Sequence, residues 1–168
     1  MGAWKEMSLA LEKTLAPAPA SPENPPAEDT NHKLDVIVVF TSVDPTLRAL
    51  KQAGALAERL ESRITLVVPQ VVPFPLPITS PPVLLDFNER RFSVLAGQSP
   101  VETTVCIYLC RDRWEALQVA LKPRSLVVIG ARKGWWPSPE KRLARQLRRA
   151  GHEVVMVETE KSDARSHL

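Results

Sequence analysis

Five short runs of apolar, largely β-branched residues recur along the chain: "LDVIVVF" (34–40), "RITLVVPQVV" (63–72), "VETTVCIYLC" (101–110), "SLVVIG" (125–130) and "EVVMVE" (153–158). They alternate little between apolar and polar, so as strands they need cover on both faces. The segments between them carry apolar residues at helical spacing. Strands alternating with helices predict an α/β domain with an open five-stranded parallel sheet and helices on both faces. In such sheets ligands bind at the strand C-termini, where the winding reverses.

Local signals place the helices. "TSVDP" ends the first strand, with Asp44 as N-cap and Pro45 at the first helical position, and Leu47, Leu50, Gly54, Ala57 and Leu60 form an inner stripe. Pro69 shortens the second strand. "VPFPLPITSPP" holds five prolines and predicts an extended surface loop, followed by a helix over 83–96. Asp112 caps a helix that turns Trp114, Leu117 and Leu121 inward and ends at Pro123. Ser138 caps the last helix, with Pro139 at its first position, Leu143, Ala144 and Leu147 inside, and Gly151 at its end.

The chain divides into an N-terminal extension (1–32), a folded domain (33–160) and a C-terminal tail (161–168). Met7, Leu11 and Leu15 follow helical spacing in a short amphipathic segment, Trp4 to Leu15. "APAPASPENPPAEDT" then forms a proline-rich, acidic tether, so the extension is expected to be flexible and dispensable for folding. Cys106 and Cys110, four apart on a strand, have Cα atoms about 13 Å apart, too far for a disulfide. Two reduced thiols fit a cytoplasmic protein, and the Cys and His content does not make a zinc site. Prolines interrupt the most apolar stretch, Val67 to Ile78, so no membrane span is expected. The chain begins Met1-Gly2, but Glu6 stands where myristoylation wants Ser or Thr. Net charge is only +3, yet residues 111–152 hold eleven Lys and Arg against three Asp and Glu.

The stretch "GARKGWWPSPEKR" (130–142) joins the fourth strand to the last helix, where a glycine turn can cradle a phosphate. Together with "DVIVVFTSVDPTLRALKQAGALAERLESRITLVV", "RDRWEALQVAL" and "LARQLRRAGHEVVMVE", it resembles the universal stress protein family over residues 33–158. The resemblance implies strand order 3-2-1-4-5, so that Thr41 to Asp44 and Gly130 to Arg142 face one crevice between the first and fourth strands. It also implies homodimers paired through the last strand, here Val154, Val155, Met156 and Val157. ATP-binding members carry an acid at the end of strand one and a G-x2-G-x9-G-[ST] motif after strand four. This chain departs from both. Thr41 takes the acid's place. Gly130 fits the first glycine, but Lys133 stands three residues on and Gly134 one later. Lys141 and Arg142 fall where Gly and Ser or Thr belong. Long side chains at those positions obstruct the approach of backbone amides to a phosphate.

Three readings follow from these departures. In the first, the protein is a non-catalytic regulatory module of the universal stress protein type with no cofactor. It does not bind ATP in the family manner, and Trp135 or Trp136 fills the crevice or covers a hydrophobic edge. In the second, ATP or AMP is retained by an altered basic loop, with contacts on Thr41, Ser42, Gly130, Arg132, Lys133, Gly134, Lys141 and Arg142. In the third, the basic surface takes an anionic partner, with Arg142, Arg145 and Arg149 sharing a helix face. Apart from the Trp pair no nucleic-acid motif is visible, so nucleic acid is not the expected partner. No catalytic constellation stands out. His32 and His167 lie in the tails, His152 lies at a helix–strand junction, and no G-x-S-x-G flanks Ser42. The chain is read as no enzyme, with a protein partner that the sequence does not name.

Overall fold

The computed structural model describes residues 13–15 and 35–159. Six strands form one sheet: β1 (Lys13–Leu15), β2 (Val36–Val39), β3 (Ile64–Val71), β4 (Thr103–Cys110), β5 (Leu126–Arg132) and β6 (Glu153–Thr159), in the order β1-β4-β3-β2-β5-β6. The five strands β2 to β6 are parallel, in the 3-2-1-4-5 order that was expected. The winding reverses between β2 and β5. β2 is central, and all four of its residues are buried. Their side chains alternate between the two faces, as a pleated strand requires.

Val36 and Val38 join α1 (Val43–Leu60) and α2 (Leu85–Ala96) through Ala49, Leu50, Ala53, Phe92 and Leu95. Ile37 and Val39 join α3 (Arg113–Ala120) and α4 (Pro139–Arg149) through Ala116, Leu117, Ala144 and Leu147. Each fully buried leucine contributes about 1.5–3 kcal/mol by leaving water, so the two-sided cover of β2 is the main source of stability. Asp112 caps α3, accepting from the backbone N–H groups of Trp114 and Glu115, and Ser138 caps α4, accepting from Lys141 N–H. Gly151 ends α4 with φ 92°, in the left-handed region that glycine tolerates.

Four local expectations are corrected. Ser42, in extended backbone and without a side-chain cap bond, holds the N-cap position of α1, and Asp44 lies exposed in its first turn. Leu60, at the end of the helix, is 44% exposed and outside the inner stripe. Pro69 does not shorten β3, which pairs with β4 from Ile64 to Val71. β2 pairs with β3 only as far as Val67, so Pro69 faces no partner on that side and its missing N–H costs nothing there. Lys13–Leu15, read as the end of an amphipathic helix, is instead an antiparallel strand on the outer edge of β4. An open edge offers unpaired backbone groups, and pairing there outweighs a helical spacing that has no face to dock on. The rest of the extension and of the tail lies outside the described residues.

The proline-rich connection between β3 and α2 is held by Arg111. Its guanidinium donates to the carbonyls of Val72 at 2.7 Å and Leu76 at 2.8 Å and lies 4.0 Å from the centroid of the Phe74 ring. Both cysteines are buried, and neither is in a disulfide. Burial, then the charge of Asp112, partly offset by Arg113 and with a smaller push from Glu115, raises the Cys110 thiol from an ordinary value near 9 to about 11.

The unfolded chain therefore releases the Cys110 proton at a pH where the folded chain still holds it. Fewer protons on the unfolded state mean that stability falls as pH rises from about 9 and levels off near 11. Denaturant unfolding of Cys110→Ala should lack that part of the pH dependence, a difference of about one proton in slope. Identical slopes for the two proteins across this window would disprove it.

Candidate functional site

The mouth between the C-terminal ends of β2 and β5 is where this topology places ligands. Here the protein makes two of its own contacts at that mouth. Thr41, the first residue beyond Phe40, donates from its hydroxyl to the Gly130 carbonyl at 2.9 Å. Its N–H donates to Oγ1 of buried Thr46 at 3.2 Å. Gly130 lies inside β5, two residues before the strand ends. A Cβ at Gly130 would collide with the Pro45 carbonyl and Cα in the first turn of α1. The glycine is therefore required by the approach of helix to strand.

The connection from β5 to α4 is short and tied at both ends. Lys133 N–H donates to the Thr159 carbonyl at 2.9 Å, and the Ser138 hydroxyl accepts from Lys141 N–H at 3.3 Å. The Lys141 ammonium donates to the Gly134 carbonyl at 2.9 Å and pairs with Glu158 at 3.4 Å. That partly exposed pair adds about 0–1 kcal/mol, but it draws the lysine toward β6. Gly134 keeps an ordinary φ, and a Cβ there would meet only the Arg132 carbonyl at 4.0 Å. No close approach demands a glycine at this position.

Trp135 and Trp136 are 101% and 85% exposed. The expectation that one of them fills the crevice or covers a hydrophobic edge is corrected: both stand in solvent.

Beside Thr41 lies a cleft of about 240 Å³ between the first turns of α3 and α4. Of the eight residues expected to contact a nucleotide, only Thr41 and Arg142 line it. Ser42, Gly130, Arg132, Lys133, Gly134 and Lys141 do not. The cleft also takes Arg113 and half-buried Trp114 from α3, residues that sequence reasoning did not place in a site. The signal was the Asp112 cap, which sets the first turn of α3 beside that of α4. Arg142 continues into a second groove, of about 410 Å³, along α4 with Arg145, Gln146 and Arg149. The arginine stripe foreseen from helical spacing is therefore one surface. At the far edge of the sheet Val154 is buried and Val155, Met156 and Val157 are half-buried. Among the described residues nothing pairs with the outer edge of β6. No described helix is long and apolar enough to cross a membrane, and no described group of three His, Cys, Asp or Glu residues could hold a metal.

No family model matches the chain, and no curated protein matches it. Among solved structures it is similar to a protein from the universal stress protein family from Burkholderia pseudomallei. The identity is 22%, the match covers 74% of this chain and 96% of that one, and the TM-score is 0.49.

The two loop glycines make a paired test. Gly130→Ala should destabilise the fold by about 2 kcal/mol or more, because the added carbon meets backbone that cannot yield without moving α1. Gly134→Ala, with open space around it, should change stability by less than about 0.5 kcal/mol. Equal thermal midpoints for both variants would contradict the packing role of Gly130.

Proposed function

We propose that the protein is a non-catalytic interaction module, with a regulatory or stress-response role of the kind that its sequence resemblance implies, and that it does not take ATP in the manner of that family. One observation carries this reading: two backbone amides of the β5–α4 connection and the hydroxyl at the end of β2 are already engaged. The Lys133 amide serves β6, the Lys141 amide serves the Ser138 hydroxyl, and the Thr41 hydroxyl serves the Gly130 carbonyl. A phosphate held by a glycine turn needs free amides converging on it. The Lys141 ammonium, at one of the altered motif positions, is also occupied, by Gly134 and Glu158. The raised Cys110 thiol supports a non-catalytic reading, because a reactive cysteine needs its pKa lowered.

The cleft beside Thr41 favours a second reading. Arg113 and Arg142 offer two guanidinium groups and Trp114 offers an indole, a set that suits a small nucleotide such as AMP held by stacking and charge, although Asp112 and Glu140 line the same cleft and offset part of that charge. Titration of the purified chain with ATP, ADP and AMP, with and without magnesium, decides between the two. Weak, non-saturating binding of all three is expected. A low-micromolar dissociation constant that is lost in Arg113→Ala and Arg142→Ala would establish the nucleotide reading instead.

We also propose a homodimer through β6. An unblocked edge strand is a template for another strand, and antiparallel pairing about a two-fold axis satisfies both copies with one contact. The four apolar residues 154–157, with no proline and with Glu153 and Glu158 only at the ends, suit that role. The segment that could have covered this edge contributes its described strand, β1, at the opposite side of the sheet. Sedimentation at tens of micromolar should give a dimer for the unmodified chain and a monomer for Val155→Lys. A monomeric unmodified chain would remove the dimer.

A further inference from the structure

We infer that the β5–α4 loop and the arginine face of α4 together form a docking surface for an anionic lipid bilayer. The inference rests on reading the protein as an interaction module and names the partner of one surface. Two adjacent tryptophans that stand almost wholly in water are an unusual exposure for the largest apolar side chains. Pro137 and Pro139 restrict the backbone immediately after them. The tethers at Lys133 and Ser138 fix both ends of the loop, and Lys141 joins its start to α4 through the Gly134 carbonyl. The tip is thus a built protrusion and not a loose end.

The charge around that tip is mostly positive. From Arg132 to Arg149 the chain carries seven Lys and Arg against one acid, Glu140. Arg142, Arg145 and Arg149 open onto one groove along α4, and all three are exposed. Among the described residues no carboxylate pairs with any of them. Tryptophan prefers the headgroup level of a bilayer, where its ring is buried and its N–H stays near water, and basic residues beside it are drawn to anionic lipid.

A lipid interface fits these observations better than a single-stranded nucleic acid. Stacking platforms hold the aromatic ring against the protein, with one face offered to a base, and set it along the cationic track. Here the Trp135 ring has no protein behind it, and neither tryptophan lines the arginine groove. A side chain bare on all sides is best covered by a medium that surrounds it. The contact is peripheral and needs no membrane-spanning helix.

The test uses the full chain with vesicles of phosphatidylcholine alone and of phosphatidylcholine with about one-third phosphatidylglycerol. The chain should sediment with the anionic vesicles and not with the neutral ones, and added salt should release it. Binding should fall about tenfold or more in W135A/W136A and in R142Q/R145Q/R149Q, and should persist in Trp4→Ala. Lipids brominated near the headgroup should quench the fluorescence of the unmodified chain more than that of W135A/W136A. Because Trp135 is fully exposed and Trp136 is 85% exposed, the double variant should keep its thermal midpoint, so lost binding cannot be laid to unfolding. The inference is overturned by equal binding to neutral and anionic vesicles, by no binding to either, or by full binding in W135A/W136A. Tighter binding of a single-stranded oligonucleotide that depends on the same tryptophans would overturn it in favour of nucleic acid. Nucleotide titration probes the cleft beside Thr41 and vesicles probe the loop, so either result can fail without the other.

Discussion

The approach of α1 to β5 at Gly130 governs the rest of the structure. One missing side chain lets the Pro45 backbone lie against the strand, and that contact sets where helix, sheet and mouth meet. With α1 seated there, Leu50, Ala53 and Ala57 can close one face of β2. The Thr41 hydroxyl and the Gly130 carbonyl then stitch the two central strands together just where a ligand would enter. A contact that serves packing thus lies at the place where open α/β sheets usually bind their ligands.

The proposed reading places recognition outward from that mouth. The Thr41 cleft lies between two helix N-termini, and the exposed tryptophans and arginines lie on the rim beyond it. Sites built at rims recognise by charge and apolar contact more readily than by enclosing a substrate. Cys110 fits the same picture from inside, since a thiol held in its protonated form by burial is core and not reagent.

The fold was largely legible in the sequence because its signals were redundant. Five apolar runs, the Asp112 and Ser138 caps and the Gly151 stop each identify the same elements independently, so an error in one does not propagate. Pro69 misled because its acceptability depends on how far the neighbouring β2 reaches, a fact of pairing and not of local preference. Lys13–Leu15 misled for a related reason: its partner lies some ninety residues away, at Val105 to Ile107. The site was legible only in location. That Lys133 and Lys141 would be bound up by Thr159 and Glu158 depends on the register of β6, and spacing does not reveal the openness of both tryptophans. Arg113 and Trp114 went unnoticed because a helix cap was read as a boundary rather than as a wall of a cleft.

β1 gives the sheet two unequal sides. On one flank three residues of the chain's own N-terminal segment lie along β4, while on the other flank β6 is the last strand among the described residues. A sheet with two open edges can add copies without limit, and a sheet with none can add nothing. β1 covers only Val105 to Ile107 of the eight-residue β4 and is itself the outermost strand, so it interrupts that flank without closing it, and β6 keeps the longer continuous edge among the described residues.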